Sequence, residues 1–124
     1  MKTHTAAAAA AGLLITTGCA QMPPAGQRHR VLLWGGTAFN FGKDVPRLQS
    51  YIDAADRMAD VAAKQGIDVM ISNHSGYDDS LRKMDALRRG AAPNPFVIGS
   101  DAVVHGLRAM ESCAKAQRDR FVMS

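Results

Sequence analysis

One long amphipathic pattern, between Asp44 and Gly66, constrains the fold of this chain more than any other feature. Apolar residues recur there every three to four positions, at Leu48, Ile52, Ala55, Ala59 and Ala62. This is the spacing of one face of an α-helix. Asp44 is a typical N-cap, Pro46 suits the first helical turn, and Gly66 is a typical stop. The pattern predicts a long helix whose apolar face must pack against other elements.

Shorter patterns on both sides of this helix predict strands and further helices. Residues 30–34 and 67–72 are apolar runs that predict two strands. Asp78 or Asp79 caps a predicted helix that ends near Arg89, with apolar positions at Leu81, Met84 and Leu87. After a Pro- and Gly-containing loop, residues 96–99 are a candidate third strand. Ser100 then caps a last helix with an apolar side formed by Val103, Val104, Leu107, Met110, Cys113 and Ala114.

This element order predicts an α/β fold in which short strands alternate with three helices. Two or three short strands provide too little sheet to cover the apolar faces of those helices. A two-stranded sheet is marginal by itself, and unpaired strand edges invite association with another chain. We therefore expect residues 30–124 to be part of a larger layered domain.

The first 20 residues have the composition of a signal peptide. Lys2 precedes an unbroken apolar run at residues 6–15, which is typical of an export signal and shorter than the roughly 20 residues of a membrane span. Processing before Cys19 would make that cysteine a lipidation site, and cleavage after Ala20 is the alternative. Both place the mature chain in the periplasm or outside the cell, in the first case with a lipid anchor at the membrane surface. A disordered alanine-rich leader is the competing interpretation, and residues 21–29 are predicted to be a tether.

Charge and cysteine content narrow the partners that this chain can have. Its 15 Lys and Arg residues against 11 Asp and Glu make it mildly basic, but the charges alternate in sign along the predicted helices, as on solvated surfaces. Nucleic-acid binding requires clustered cations and interleaved aromatic residues, so we expect no nucleic-acid partner. With only Cys19 and Cys113 present, a disulfide framework is excluded. Cys113 is expected to be a small buried hydrophobic residue on its helix.

A histidine at the end of the second strand is the strongest candidate for chemistry. His74 follows the apolar run directly, but a zinc site needs three or four converging ligands, and the sequence offers no paired His or Cys spacing. A turn histidine bonded to backbone is the alternative. The turn at Gly35, Gly36 and Thr37 lacks the spacing of phosphate-binding loops and is interpreted as a tight strand exit. Ser72 has no evident base beside it.

Four segments together resemble the C-terminal portion of metallo-β-lactamase-fold hydrolases, and most of all the third subclass of that family. They read LLWGGTAFNFG at 32–42, ISNHSGYD at 71–78, NPFVIG at 94–99 and MESCA at 110–114. The resemblance implies the C-terminal half of an αββα sandwich, in which two mixed sheets pack face to face and helices cover the outside. It also implies that His74 is the last zinc ligand and that Thr37 and Asn40, in the loop after the first strand, face the substrate.

The chain departs from this family at the other metal ligands. The family's His-x-His-x-Asp-His segment and a further ligand histidine are absent, and His4, His29 and His105 do not stand at matching positions. We therefore expect a truncated zinc hydrolase fragment that binds no zinc by itself. In the family, zinc-activated water hydrolyses a β-lactam or similar amide, and this chain is expected to be inactive alone. A non-catalytic exported binding or self-association module is the alternative. A third hypothesis is complementation by a separate N-terminal half.

Overall fold

The computed structural model describes residues 26–123, which form an α/β fold made mostly of helices. The leader at residues 1–20, with Cys19, and the first part of the predicted tether lie outside the described residues. The elements follow the order β1, α1, β2, α2, α3 and α4. Their bounds are β1 Val31–Trp34, α1 Val45–Gln65, β2 Val69–Ser72, α2 Ser75–Asp78, α3 Ser80–Arg88 and α4 Ser100–Val122.

Helix α1 begins and ends where the sequence predicts. The Asp44 carboxylate accepts a hydrogen bond of 2.9 Å from the backbone N–H of Arg47, and Pro46 lies in the first turn. The Asp44 carboxylate thus pairs with one of the N–H groups that a helix start leaves without partners, and Pro46 has no N–H that needs one. Gly66 has a left-handed φ of 61°, and its N–H donates to the carbonyl groups of Ala62 and Ala63. The predicted N-cap and glycine stop are both confirmed.

The two strands are parallel neighbours, connected by α1. Val31 pairs with Val69 and Trp34 with Ser72, so both strands point their carboxyl ends toward the same edge of the sheet. In the described part of the chain this sheet has two strands. The predicted third strand at residues 96–99 contributes a single antiparallel bridge, between Val97 and Val69.

Helices α1 and α4 pack against each other and against one face of the sheet. One core cluster joins strand and helix residues, namely Leu32, Ala59, Ala62, Ile67, Val103 and Leu107. A second cluster, made of Leu48, Ile52 and Ala114, is surrounded by Phe39, Phe41, Tyr51 and Phe121. Ala55, Ala59 and Ala62 of α1 are fully buried, and small side chains let two helix axes approach closely. The main core therefore lies between the helix pair and the sheet.

A network of charged side chains connects helices α1 and α4. The Arg108 guanidinium of α4 contacts the carboxylates of Asp56 and Asp60 on α1, the latter at 2.7 Å. It also lies 3.1 Å from Glu111, whose other oxygen is 2.6 Å from Lys115 Nζ. Glu111 is only 6% exposed, and a buried carboxylate requires such partners.

Two details correct the sequence predictions, although the predicted helix ending near Arg89 is confirmed as α3, with Asp79 at its N-cap position. An additional short helix, α2, precedes it, and Asp79 separates the two with a left-handed φ of 59°. The chain therefore has four helices in its described part rather than three. Cys113 is exposed, not buried. The buried face of α4 is formed by Val103, Leu107, Glu111 and Ala114, and Cys113 stands about 100° around the helix from Ala114.

The described helices are also too polar or too short to cross a lipid bilayer.

Candidate functional site

The carboxyl ends of β1 and β2 form one edge of a cleft. The loop after β1 and the turn after β2 meet there, as expected for parallel strands that end at the same side of a sheet. The cleft has a volume of about 300 Å³. Its lining residues are Gly35, Thr37, Ala38, Asn40, His74, Gly76 and Tyr77. The structure thus brings together Thr37, Asn40 and His74, the three residues that the resemblance singles out.

Aromatic packing holds the loop after β1. The Tyr51 hydroxyl of α1 contacts the Gly36 carbonyl, and Trp34 Nε1 donates to the same carbonyl at 3.0 Å. The Tyr51 ring packs edge-on against Trp34 and Phe39, with centroid distances of 5.8 and 4.9 Å. A Cβ at Gly36 would lie 2.7 Å from the Tyr51 ring, so this position requires glycine. Helix α1 therefore fixes the wall that carries Thr37 and Asn40.

Burial keeps the Tyr51 phenol in its protonated, donating form. Desolvation raises the pKa of Tyr51, and the hydrogen bond from Trp34 offsets only part of this effect. The phenol is therefore a neutral donor at physiological pH, as its contact with the Gly36 carbonyl requires. The loop geometry should accordingly be insensitive to pH across the neutral range.

The turn after β2 is anchored by Asp78. One carboxylate oxygen of Asp78 accepts from the Ser72 N–H at 2.7 Å, and the other accepts from the N–H and hydroxyl of Ser80. Desolvation raises the pKa of Asp78, but these hydrogen bonds together with Lys83 outweigh it and lower the pKa overall. The carboxylate is therefore ionised at neutral pH and closes the turn that presents His74. Ser72 adds a hydroxyl that accepts from the His74 N–H at 3.1 Å.

The donors around His74 do not fit a zinc ion. His74 is exposed, and its ring lies edge-on to Tyr77, with 6.1 Å between the centroids. Within residues 26–123, no three His, Cys, Asp or Glu side chains lie close enough together to hold a metal ion. A zinc site needs three or four such ligands, and a ligand histidine usually donates its second nitrogen to a carboxylate or carbonyl. One imidazole does not meet this requirement.

A smaller cavity of about 50 Å³ lies next to the cleft and shares Thr37 and Tyr77 with it. Trp34, Met70 and Ile71 give this cavity apolar walls. The Thr37 hydroxyl is buried and has no hydrogen-bond partner among the described residues. Because an unpaired buried hydroxyl is costly, Thr37 is the lining group with the most to gain from a polar ligand atom.

The polar lining of the cleft suits hydrogen bonding to a small ligand. Its polar lining consists of a hydroxyl, an amide, an imidazole and a phenol, and no carboxylate lines it. These groups can hydrogen-bond the polar atoms of a small ligand. Ser72 interacts with the His74 backbone rather than with its ring, so the nucleophile and base pairing of acyl-transfer enzymes is absent from the described turn.

Tyr77 and Asp78 are site residues that the sequence patterns do not single out. Tyr77 lines both cavities, and Asp78 organises the turn through three hydrogen bonds. An aspartate two positions before a serine at a helix start is a recognisable signal for such a local turn. Tyr77 gives a weaker signal, namely its position three residues after His74 in a short helical turn.

His29 lies at the other end of the strands. Its Nδ1 is 2.5 Å from an Asp68 carboxylate oxygen, and the second oxygen accepts from the Arg30 N–H at 3.0 Å. The hydrogen bond with His29 is the main reason that the pKa of Asp68 is lowered. These contacts attach the end of the predicted tether to the body of the protein. They place His29 at the amino ends of the strands, so it does not supplement His74.

Comparison of the chain with family models, with curated proteins and with solved structures finds no match in any of the three.

Proposed function

We propose that this chain is a metallo-β-lactamase-like half-domain that contributes one wall of a hydrolase site and is inactive alone. The observation that carries the proposal is the convergence of Thr37, Asn40 and His74 in one cleft at the carboxyl edge of the sheet. In this proposal Thr37 and Asn40 hydrogen-bond the substrate, and His74 offers one ligand to a metal held mainly by another polypeptide. No hydrolytic step is assigned to this chain by itself.

The uncovered face of the sheet supports the idea of a missing half. Val31 and Leu33 are 56% and 62% exposed, whereas Leu32 between them is buried against α1 and α4. Side chains alternate between the faces of a strand, so Val31 and Leu33 lie on the face opposite the helices. In an αββα sandwich that face packs against a second sheet. The proposed partner would therefore cover these two residues.

Zinc titration and β-lactam hydrolysis test whether the chain is inactive alone. We expect zinc affinity no tighter than the micromolar range and no turnover of a chromogenic β-lactam, because a single imidazole is a weak zinc site. Submicromolar binding of one zinc per chain, or turnover by the pure chain, would contradict the proposal.

Complementation tests the positive part of the proposal. The chain would be coexpressed with a polypeptide that supplies the family's His-x-His-x-Asp-His segment, and hydrolysis would be assayed in the copurified complex. We expect activity that is lost in His74→Ala and retained in the matched control His105→Ala, since His105 lies exposed on α4. A copurified complex that is inactive, or that is equally active in both variants, would rule out the assigned role of His74.

A non-catalytic self-association module is the second candidate function. It is favoured by the same exposed strand, because β1 is an edge of the described sheet and carries two exposed apolar side chains. Sedimentation equilibrium should then show dimers that Leu33→Lys dissociates and Val122→Lys does not. A monomer at all concentrations would exclude this candidate and leave the half-domain proposal untouched.

Export and lipidation of Cys19 complete the proposal, and both rest on the sequence of the leader. If processing occurs before Cys19, labelled palmitate is incorporated into the full chain and lost in Cys19→Ser, whereas cleavage after Ala20 gives an exported chain without palmitate. Recovery of an unprocessed chain from the cytoplasm would disprove export.

A further inference from the structure

The exposed face of α3 has no part in the proposed cleft. Leu81, Met84 and Leu87 are 70%, 44% and 39% exposed, and no residue of α3 is buried. Positions three and six apart lie on the same side of a helix, so these residues form a stripe roughly 120° wide. A surface helix usually turns such a stripe toward the core. Helix α3 turns it toward solvent.

The segment that carries this apolar stripe is basic. Residues 79–89 contain four cations and two carboxylates. Arg82 and Arg89 pair with Asp79 and Asp85, and Lys83 lies 5.5 Å from the centroid of the Phe96 ring. Arg88 follows Met84 by four positions and Leu81 by seven, so it extends the same side of the helix.

We propose that α3 docks this chain on an anionic lipid bilayer. Its apolar stripe would enter the boundary between headgroups and acyl chains, and Arg88 would contact lipid phosphates at the end of the stripe. The charge of the segment favours this partner, because basic amphipathic helices bind anionic membrane surfaces through buried apolar area and electrostatic attraction together. This inference does not depend on the hydrolase proposal, and it can fail separately.

Vesicle binding by the full chain tests the inference. Cys19→Ser is included in every sample so that acylation makes no contribution. The chain is mixed with vesicles of phosphatidylcholine alone or of phosphatidylcholine with phosphatidylglycerol, and binding is measured by cosedimentation. We expect stronger binding to the anionic vesicles that weakens with added salt. Hydrogen–deuterium exchange should show protection of residues 80–88 on the anionic vesicles only, which separates α3 from any contribution of the apolar leader.

Matched variants separate the apolar stripe from the charge. Leu81→Ser combined with Leu87→Ser should lower the affinity for anionic vesicles at least tenfold, whereas Val122→Ser, an exposed valine of α4, should not. Arg88→Glu changes the charge by two units and should weaken binding about 25-fold, at about fivefold for each unit. Arg120→Glu, on the exposed side of α4, is the control. Circular dichroism would verify that the variants fold.

Equal binding to both vesicle types would overturn the inference, and so would protection from exchange that appears only outside α3. So would a lipid-free dimer that the α3 variants dissociate, because the stripe would then be a protein interface.

Discussion

The two faces of the small sheet differ in how completely they are covered. On one face, α1 and α4 bury Leu32 together with Val103 and Leu107, which are fully inaccessible. On the other, Val31 and Leu33 are largely exposed. The same contrast holds between the long helices and α3, which buries no residue. The helix-covered side therefore supplies most of the burial in this chain, and the uncovered side is where the proposed partner would pack.

The cleft lies at the boundary between these two regions. Its β1 wall is fixed by Tyr51 of α1, which belongs to the covered side. Its β2 wall depends on the local hydrogen bonds of Asp78. The β1 wall of the cleft is therefore held by contacts with the core, whereas the β2 wall is held mainly by hydrogen bonds within its own turn.

Truncating a core side chain should give the largest effect. Leu107→Ala should lower the free energy of unfolding by about 2–5 kcal/mol, because Leu107 is fully buried and its removal leaves a cavity. Leu81→Ala on α3 should change it by less than about 0.5 kcal/mol. Urea denaturation of both variants tests the contrast, and similar losses would show that α3 is packed in solution.

Loosening the β2 wall should have a smaller effect. Asp78→Ala removes the acceptor of three hydrogen bonds and should cost about 1–3 kcal/mol. Hydrogen–deuterium exchange should also become faster in residues 73–79 while α1 stays protected. Asp85→Ala, which removes only an exposed pair with Arg89, is the control. Unchanged exchange in the turn would mean that Asp78 does not organise it.

Acid should weaken the covered side through Glu111. Hydrogen bonds from Lys115 and then Arg108 lower the pKa of Glu111. A lowered folded-state pKa gives stability that is present above the unfolded pKa, which is about 4.3, and is lost as pH falls through the folded value. Glu111→Gln should therefore be less stable than the wild type at pH 7, with a gap that narrows below about pH 4. Urea midpoints across this range test it, and a constant gap would contradict the ionic role.

Thr37 should give the smallest change in stability. Thr37→Val replaces a buried hydroxyl without a partner and should leave the free energy of unfolding unchanged or raise it by up to about 1 kcal/mol. Thr37→Ser, which keeps the hydroxyl, is the control. A clear loss of stability in Thr37→Val would show that the hydroxyl has an unseen partner.

Much of the architecture was predictable because it depends on short-range signals. The apolar spacing of α1, its Asp44 cap and its Gly66 stop all lie within a few residues of the backbone they control. The two strands were recognisable from short apolar runs, although β2 begins at Val69 rather than at residue 67. The small size of the sheet relative to the helices was also predictable from the lengths of the predicted strands and helices.

Patterns within the sequence thus predict the main helices and the two strands, and the family resemblance singles out three candidate cleft residues. The three-dimensional fold adds that Thr37, Asn40 and His74 line one cleft, that Glu111 is buried, and that Cys113 is exposed. It also adds the short helix α2 before Asp79, in the turn that the Asp78 carboxylate holds by its hydrogen bond from the Ser72 N–H. The physical reason is range: caps and periodicity act between neighbours, whereas burial and convergence depend on side chains that the fold brings together from distant positions.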